Sequence, residues 1–484
     1  MTSRRSTSVL AGLALAAHLC GAARAGDTTY TYVDLGTLGG PESVAMGLND
    51  AGQVVGWSSI PGCTVNGHPC RRAFLWEDGV MTDLGVLAGD EESVARAINS
   101  VGMIVGTSER DAVAASTTAA GFSWSLGAMS ALPDLGASGS TFAHDVNDAG
   151  VIVGHSLNAA TLRDTSVTWQ GGAITDVGGS EPHSYNRAYG INAAGVLVGF
   201  AWNLFAPNDA TLFDGFSWAT IGGAGGPFQN AQAHAVNSTG VVVGLQAFPS
   251  GAWHPAMWTF GSPGGTDLGT LPGHDIGEMF DVNEAGQAVG HTWLDIDPGT
   301  SRAVLYDGAT LIDLNDVLAP GTNATLFEAR EVNEQGDIVG TAIVNGLFRA
   351  FLLEAHDTEA WTDLGFALAG SAGEPQLSGT GVLAAGETIE LALTSAQPSA
   401  AAYWVLGVAR LDLPFKGGTL VPAFAAPLGM LVGFNTDSAG ELTLSAPWPA
   451  GLPSGIEVTS QFWISDPGGP VGFAASNAVT STTL

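Results

Sequence analysis

The decapeptide GLNDAGQVVG, Gly47 to Gly56, returns six more times, as AINSVGMIVG, DVNDAGVIVG, GINAAGVLVG, AVNSTGVVVG, DVNEAGQAVG and EVNEQGDIVG. Its asparagines are Asn49, Asn99, Asn147, Asn192, Asn237, Asn283 and Asn333, separated by 50, 48, 45, 45, 46 and 50 residues. A unit of about 45 residues buries too little surface to be stable alone. Seven of them in tandem must therefore cover one another, which confines the chain to repeat architectures.

Each unit holds four strand-sized runs. Strand a ends in an apolar residue before the Asn, as in SVAMGL; strand b is QVVG and its relatives. Strand c is RAFLW, recurring as GFSW, SVTW, GFSW, PAMW, AVLY and AFLL, and strand d is MTDLG, LPDLG, ITDVG, GTDLG and LIDLN. The runs are β-branched and aromatic and are separated by Gly, Asn or Asp, as strands are. Asn favours the first position of a type I turn, and the Gly three residues later accepts the left-handed conformation that closes a bulged hairpin. The seven asparagines thus read as turn chemistry between strands a and b. The aspartates Asp83, Asp134, Asp176, Asp267 and Asp313 occupy one repeat register and are expected to bond turn backbone.

Four strands per unit match a propeller blade, and seven units close a ring. Hairpin turns and the long period argue against a parallel solenoid. Trp76, Trp124, Trp169, Trp218 and Trp258 of strand c are expected to pack between blades, with Tyr306 and Leu353 in the last two. YVDLG, Tyr32 to Gly36, is a lone strand d ahead of the first strand a, so it is expected to complete the seventh blade. WTDLG, Trp361 to Gly365, competes for that place and is assigned to the C-terminal domain. The predicted fold is all-β: a seven-bladed β-propeller over residues 26–358, then a C-terminal β-sandwich over 359–484.

The repeat resembles the extracellular HAF-type repeat family, whose units read roughly D-L-G-x-L-G-G, then I-N-x-x-G-x-V-V-G, then A-F-L-W. DLGTLGG (Asp34 to Gly40), GLNDAGQVVG and AFLW (Ala73 to Trp76) carry the likeness, which covers about residues 32–355. It implies a secreted bacterial repeat protein and brings no defined activity or functional residues. The last 115 or so residues alternate apolar and polar between turn signals, as a sandwich does. Their segment FWISDPGGPVGFAASNAV is similar to a terminal module found on many exported bacterial proteins, which implies a role in export or surface attachment.

The first 25 residues read as a signal peptide. Arg4 and Arg5 precede the apolar SVLAGLALAAHLC, and Ala23 to Ala25 offers a small-x-small cleavage site. The apolar core falls short of the ~20 residues a bilayer requires, so no transmembrane segment is expected. Of 14 basic residues 11 would remain after cleavage, against 46 acids. That field repels phosphate backbones and argues against nucleic acid as a partner. Cys63 and Cys70 would be the two cysteines left, bracketing TVNGHP, and in an exported chain they are expected to form a disulfide.

Enzyme signatures are missing: there is no H-E-x-x-H, Walker loop or G-x-S-x-G. DIDPG has too few acids for a calcium loop, so no cofactor is predicted and calcium rests on overall acidity alone. The connections between strands b and c vary widely, and variable loops on one rigid face are where binding usually resides. They carry Trp57, Trp202, Phe205, Trp253 and Trp293, near the polar residues Asp209, His254, His291, Asp295 and Asp297. Tryptophan faces stack on sugars and carboxylates bond hydroxyls, so this face is a candidate site for extracellular polysaccharide or another cell-surface component. The plainer reading is that these tryptophans cover loop bases and pack on strand edges.

A second set lies three residues before each turn Asn: Met46, Arg96, His144, Tyr189, His234, Phe280 and Arg330. On an innermost strand a, these side chains would line the channel mouth. Their parity with the apolar residue just before the Asn argues instead for packing between blades. On these grounds the chain is expected to be a secreted, non-enzymatic binding or surface-assembly module. A glycan-active hydrolase or lyase and a purely structural envelope protein are the alternatives.

Overall fold

The computed structural model describes residues 28–483 apart from 66, 111–118, 137–139, 179–184, 204–205, 223–229, 250, 261–263, 320, 358–360, 387, 424–429 and 450–455. Residues 1–25, which the sequence reading takes as a signal peptide, and Phe205 lie outside the described residues. The strands fall into two compact units, Tyr30–Ala355 and His356–Leu484.

The first unit is a seven-bladed propeller. Six blades are four-stranded antiparallel sheets in simple a-b-c-d order, over residues 43–85, 92–131, 141–178, 185–222, 231–267 and 276–313. The seventh takes strands a to c from Thr325–Val332, Ile338–Val344 and Leu347–Asp357 and its outer strand from Thr28–Asp34 at the other end of the chain. The lone YVDLG is thus the closing strand. Leu35 N–H donates to Ala350 O at 3.0 Å, and Arg349 reaches Asp34 at 3.2 Å. Trp361 to Gly365 belongs to the second unit, where Thr362–Gly365 pairs with Ala478–Thr482.

Each turn Asn does more than shape its own hairpin. Asn237 Oδ1 accepts from Val241 N–H at 2.9 Å, and Gly240 sits at φ +85°, as the turn chemistry requires. Its Nδ2 meanwhile donates across the blade boundary to Asn283 O at 2.9 Å. The same donation runs from Asn49 to Asn99, Asn99 to Asn147, Asn147 to Asn192, Asn192 to Asn237 and Asn283 to Asn333 at 3.0–3.1 Å. Asn333 returns to Asn49 O at 3.5 Å and completes the circle. All seven are between 3% and 8% exposed. Reading them as turn residues is correct for their oxygens and misses their nitrogens.

The register aspartates end strand d as expected: Asp83, Asp134, Asp176 and Asp267 each accept from the backbone N–H two residues on at 2.8 Å. The strand c tryptophans pack between blades, with Trp169 and Trp258 1% exposed and Trp169 Nε1 donating to Pro133 O of the preceding blade. Blade 4 departs from the sequence reading. Its strand c is Ala206–Phe213, not GFSW, so Trp218 opens strand d (Trp218–Gly222) and stacks beside Phe213 at 5.3 Å. A strand period cannot separate two adjacent aromatic runs, and the register chose ATLF.

The variable connections are also shorter than the sequence suggested, because strands b and c extend into them. In blade 1 they run over Val54–Val65 and His68–Glu77, with Cys63 and Cys70 joined by a disulfide across the hairpin end, Cα–Cα 5.4 Å. The second unit is a β-sandwich. A sheet with strand order Thr362–Gly365, Ala478–Thr482, Glu457–Ser465, Ala401–Gly407, Met430–Asn435 faces a three-stranded sheet of Gln376–Thr380, Thr388–Thr394 and Leu442–Pro447. Leu377, Leu391 and Leu393 from one meet Trp404, Phe462 and Val479 from the other in one buried cluster.

Candidate functional site

One backbone irregularity, repeated seven times, builds the site. In every blade the a–b pairing skips one residue of strand a: between Ala45 and Gly47, Ala95 and Ala97, Ala143 and Asp145, Ala188 and Gly190, Ala233 and Ala235, Met279 and Asp281, and Ala329 and Glu331. The skipped residues are Met46, Arg96, His144, Tyr189, His234, Phe280 and Arg330. A bulge adds one residue to the strand and so breaks the period-two alternation. The parity argument for packing between blades fails for that reason: these seven side chains line the axial channel.

The repeat glycine near the start of strand b makes the bulge possible. A Cβ on Gly199 would lie 2.0 Å from Arg187 O, and the same approach recurs at Gly56, Gly106, Gly154, Gly244, Gly290 and Gly340. A glycine inside a strand often marks a bulge or a close backbone approach; that is the signal in the sequence that could have placed the channel residues.

The channel encloses about 460 Å³, within the range of small-molecule sites. Blades 3 to 6 give its wall a continuous aromatic arc. Ring centroids run from Phe142 to His155 (4.7 Å), His144 (5.0 Å), Tyr189 (4.7 Å), His234 (5.9 Å) and Phe280 (5.8 Å), then to His291 (5.3 Å) and Trp293 (4.5 Å). A branch leaves Tyr189 through Phe200 (5.5 Å) to Trp202 (5.0 Å). Blades 7, 1 and 2 supply Arg330, Met46 and Arg96, so the opposite arc is cationic.

Burial and neighbouring charges shift several ionisable groups here. His144 Nε2 and His155 Nδ1 lie 3.0 Å apart, and burial lowers both, His155 to about 3 and His144 well below its usual value. His234 Nδ1 bonds Met279 O at 2.8 Å, and His291 joins Ser301 at 2.9 Å to Glu278 at 3.1 Å. Burial opposes ionisation of Glu278, but the His291 bond and attraction to His234, His291 and Arg330 outweigh it and hold the carboxyl low. Toward the Asn ring stand Asp145, Asp281 and Glu331. Their carboxyls are enclosed on the blade side and keep some surface in the channel. Burial raises all three, Asp281 to about 7 and Glu331 well above its ordinary value, and their mutual repulsion adds to Asp281 and Glu331. Asp145 and Asp281 also brace neighbours, accepting from Ile191 N–H at 2.9 Å and Val332 N–H at 3.0 Å in the next blade.

Asp281 gives a signed pH prediction. Its folded value near 7 exceeds the ordinary 3.8, so the folded state holds the extra proton between those limits and stability falls as pH rises through them. His144 and His155 act oppositely, adding stability as pH rises toward 6.5. Above pH 7 only the acid's cost remains. Asp281→Asn, which keeps an oxygen for Val332 N–H, should stabilise the protein at pH 8 by up to ~4 kcal/mol and change little at pH 4, as urea unfolding at the two pH values would read.

None of the seven residues favoured from the loop pattern lines this channel. Trp57, Trp202 and Trp293 stand on strand b, Trp253, His254 and Asp209 on strand c, and Asp295 alone is in a turn. Trp202 lies 5.3 Å from the guanidinium of channel-lining Arg187 and Trp293 backs His291, so these two support the aromatic arc. Trp57 stacks with Arg71 (5.8 Å), and His254 bonds Asp267 at 2.9 Å on the blade's outer strand. Asp295 N–H donates to Asp275 at 2.7 Å. The tryptophans thus follow the packing reading at Trp57. Residues missed altogether are Phe142, His155, Arg187, Glu278, Asp281 and Glu331. Among the described residues no group of three or more His, Cys, Asp or Glu could hold a metal ion, and no helix is long and apolar enough to cross a membrane.

No protein-family model matches the chain, and no curated protein matches it. Among solved structures it is similar to a puromycin-hydrolyzing peptidase of Mycobacterium tuberculosis at 13% identity and TM-score 0.42, covering 75% of this chain and 61% of that one. The β-propeller domain of the Trilobed protease from Pyrococcus furiosus matches at 10% identity and TM-score 0.32, over 58% of this chain and all of that domain. A Trypanosoma rangeli sialidase in complex with the inhibitor DANA matches at 8% identity and TM-score 0.34, over 94% and 92% of the two chains. The chain spans less than two thirds of the peptidase, and likenesses of this size carry no activity across.

Proposed function

We propose that the chain is an exported repeat protein of the HAF type that binds a glycan in its axial channel and does not process it. The aromatic arc from Phe142 to Phe280 carries this reading. The half-buried rings that line the channel offer sugars apolar surface, and Tyr and His add donors and acceptors for hydroxyls. The Cys63–Cys70 disulfide and the signal-like N-terminus are in keeping with export. The proposed site differs from the loop face expected from sequence, which contributes Trp202 and Trp293 only as support.

A hydrolase has one observation in its favour: Glu278 is held low while Asp281 is pushed to about 7, the kind of separation that assigns acid and base. Asp281 and Asp145, however, spend their oxygens on backbone N–H groups of adjoining residues and blades, so the binding reading stands first. A panel of cello-, xylo-, chito- and galacturono-oligosaccharides, assayed by calorimetry, tests it. Tyr189→Ala and Phe280→Ala should each weaken the bound oligosaccharide about tenfold, ~1.4 kcal/mol. Binding to no member of the panel, or unchanged affinity in both variants, would remove the reading. Release of reducing sugar lost in Glu278→Gln would favour the hydrolase.

A further inference from the structure

Arg96 is a largely enclosed cation that forms no ion pair among the described residues, and its Nε has no hydrogen-bond partner. The other channel arginines are in ion pairs, Arg330 with Glu328 at 2.7 Å and Arg187 with Asp164 at 2.6 Å, although Arg330 Nε is likewise unpartnered. Glu109, the nearest acid to act on Arg96, is taken by Arg71 at 3.9 Å. Burial and the like charge of Arg330 both oppose the charged form. An uncompensated buried charge is costly, and it is conspicuous in a protein of net charge −32 with only 14 basic residues.

We propose that Arg96, with Arg330 across Met46 in the ring, binds the carboxylate of an acidic sugar whose ring lies on the aromatic arc of blades 3 to 6. This deepens the glycan reading by naming the substrate class, and it rests on that reading for the sugar part alone. Three features select a monoanionic carboxylate. A guanidinium fork meets a carboxylate with two parallel N–H···O bonds. One cation, not several, is unmatched. The channel is also lined by Asp145, Glu278, Asp281 and Glu331, and Glu278 is held in its charged form, so a dianionic phosphate would meet more repulsion there than a singly charged carboxylate. The Arg330 guanidinium lies over the Phe280 ring, 3.9 Å from its centroid, so the cationic side of the channel adjoins the end of the aromatic arc.

The test compares trigalacturonate with its fully methyl-esterified form, which differs in charge and keeps the sugar rings. Wild-type protein should bind the acid about 30-fold more tightly, ~2 kcal/mol, and Arg96→Gln should reduce that preference to about threefold or less. Arg96→Met controls for folding: it removes the unmatched charge, so its unfolding midpoint should equal or exceed that of wild type while the preference is lost. Benzoate, an aromatic carboxylate without a sugar, separates the two readings. Arg96-dependent benzoate binding with no oligosaccharide bound would sink the glycan and keep the carboxylate site. Equal binding of acid and ester would sink the carboxylate and keep the glycan. A preference unaltered in Arg96→Gln, or no Arg96-dependent binding of either carboxylate, overturns the inference.

Discussion

Removing residues 28–34 is expected to abolish the cooperative unfolding of the propeller. This strand is the outer edge of blade 7, and it comes from the opposite end of the chain to strands a–c of that blade. Tyr30 and Tyr32 pack against the blade's buried cluster, and Tyr32 stacks with Phe351 at 6.3 Å. Two partly buried aromatics and a ladder of backbone bonds are together worth on the order of 5 kcal/mol. That is a large part of the 5–15 kcal/mol that keeps a typical domain folded. The loss is not confined to one sheet, because a frayed seventh blade uncovers the faces of blades 6 and 1. Heat unfolding followed by circular dichroism should show a broadened transition at least ten degrees lower, roughly what such a loss implies for a unit of this size. An unchanged, sharp transition would mean that the strand is decoration on an already closed ring.

The second large effect is expected from Asn237→Asp, a change of one atom group. Aspartate is as good a turn residue as asparagine and retains the oxygen that Val241 N–H and Thr239 Oγ1 approach at 2.9 and 2.8 Å. If the turn were the whole role, the variant would fall within about 0.5 kcal/mol of wild type. The replaced Nδ2, however, donates to Asn283 O at 2.9 Å in a site 3% exposed. Aspartate sets oxygen against oxygen there and buries a charge, so at pH 7 the cost should be roughly 3 kcal/mol or more. The cost also depends on pH. The buried carboxyl has a raised folded value, so the penalty grows as pH rises above ~4 and shrinks below it. A protonated aspartate can donate to Asn283 O again. Urea midpoints at pH 4 and pH 7 would read both halves, and a variant equally stable at the two would remove the ring's contribution.

The fold was legible because its information is local and repeated. Asn, Gly and the alternating strands wrote each hairpin seven times, and the lone YVDLG gave away the closure. The a–b bulge was not legible, although Gly56 and its six counterparts were in view, because a pattern of alternation cannot register a residue inserted on one strand only. That single omission turned His144, Tyr189 and Phe280 from channel lining into packing. The tryptophans expected in loops stand on strands for another reason. Long hairpins such as Val54–Val65 with His68–Glu77 contain Gly, Pro and polar residues that look like loop on composition, so Trp57 and Asp209 seemed free when pairing held them. Arg187 and Glu278 had no signal, since what they meet is decided by neighbouring blades.

The bulge separates two demands that usually compete. A side chain that leaves the alternation is released from the two packed faces of its own sheet and meets its counterparts around the channel instead. Met, Arg, His, Tyr, His, Phe and Arg already share this one site in successive blades on near-identical frames. The propeller thus behaves like a combination lock with seven wheels on one axle, in which a new ligand calls for resetting wheels and leaves the casing as it is.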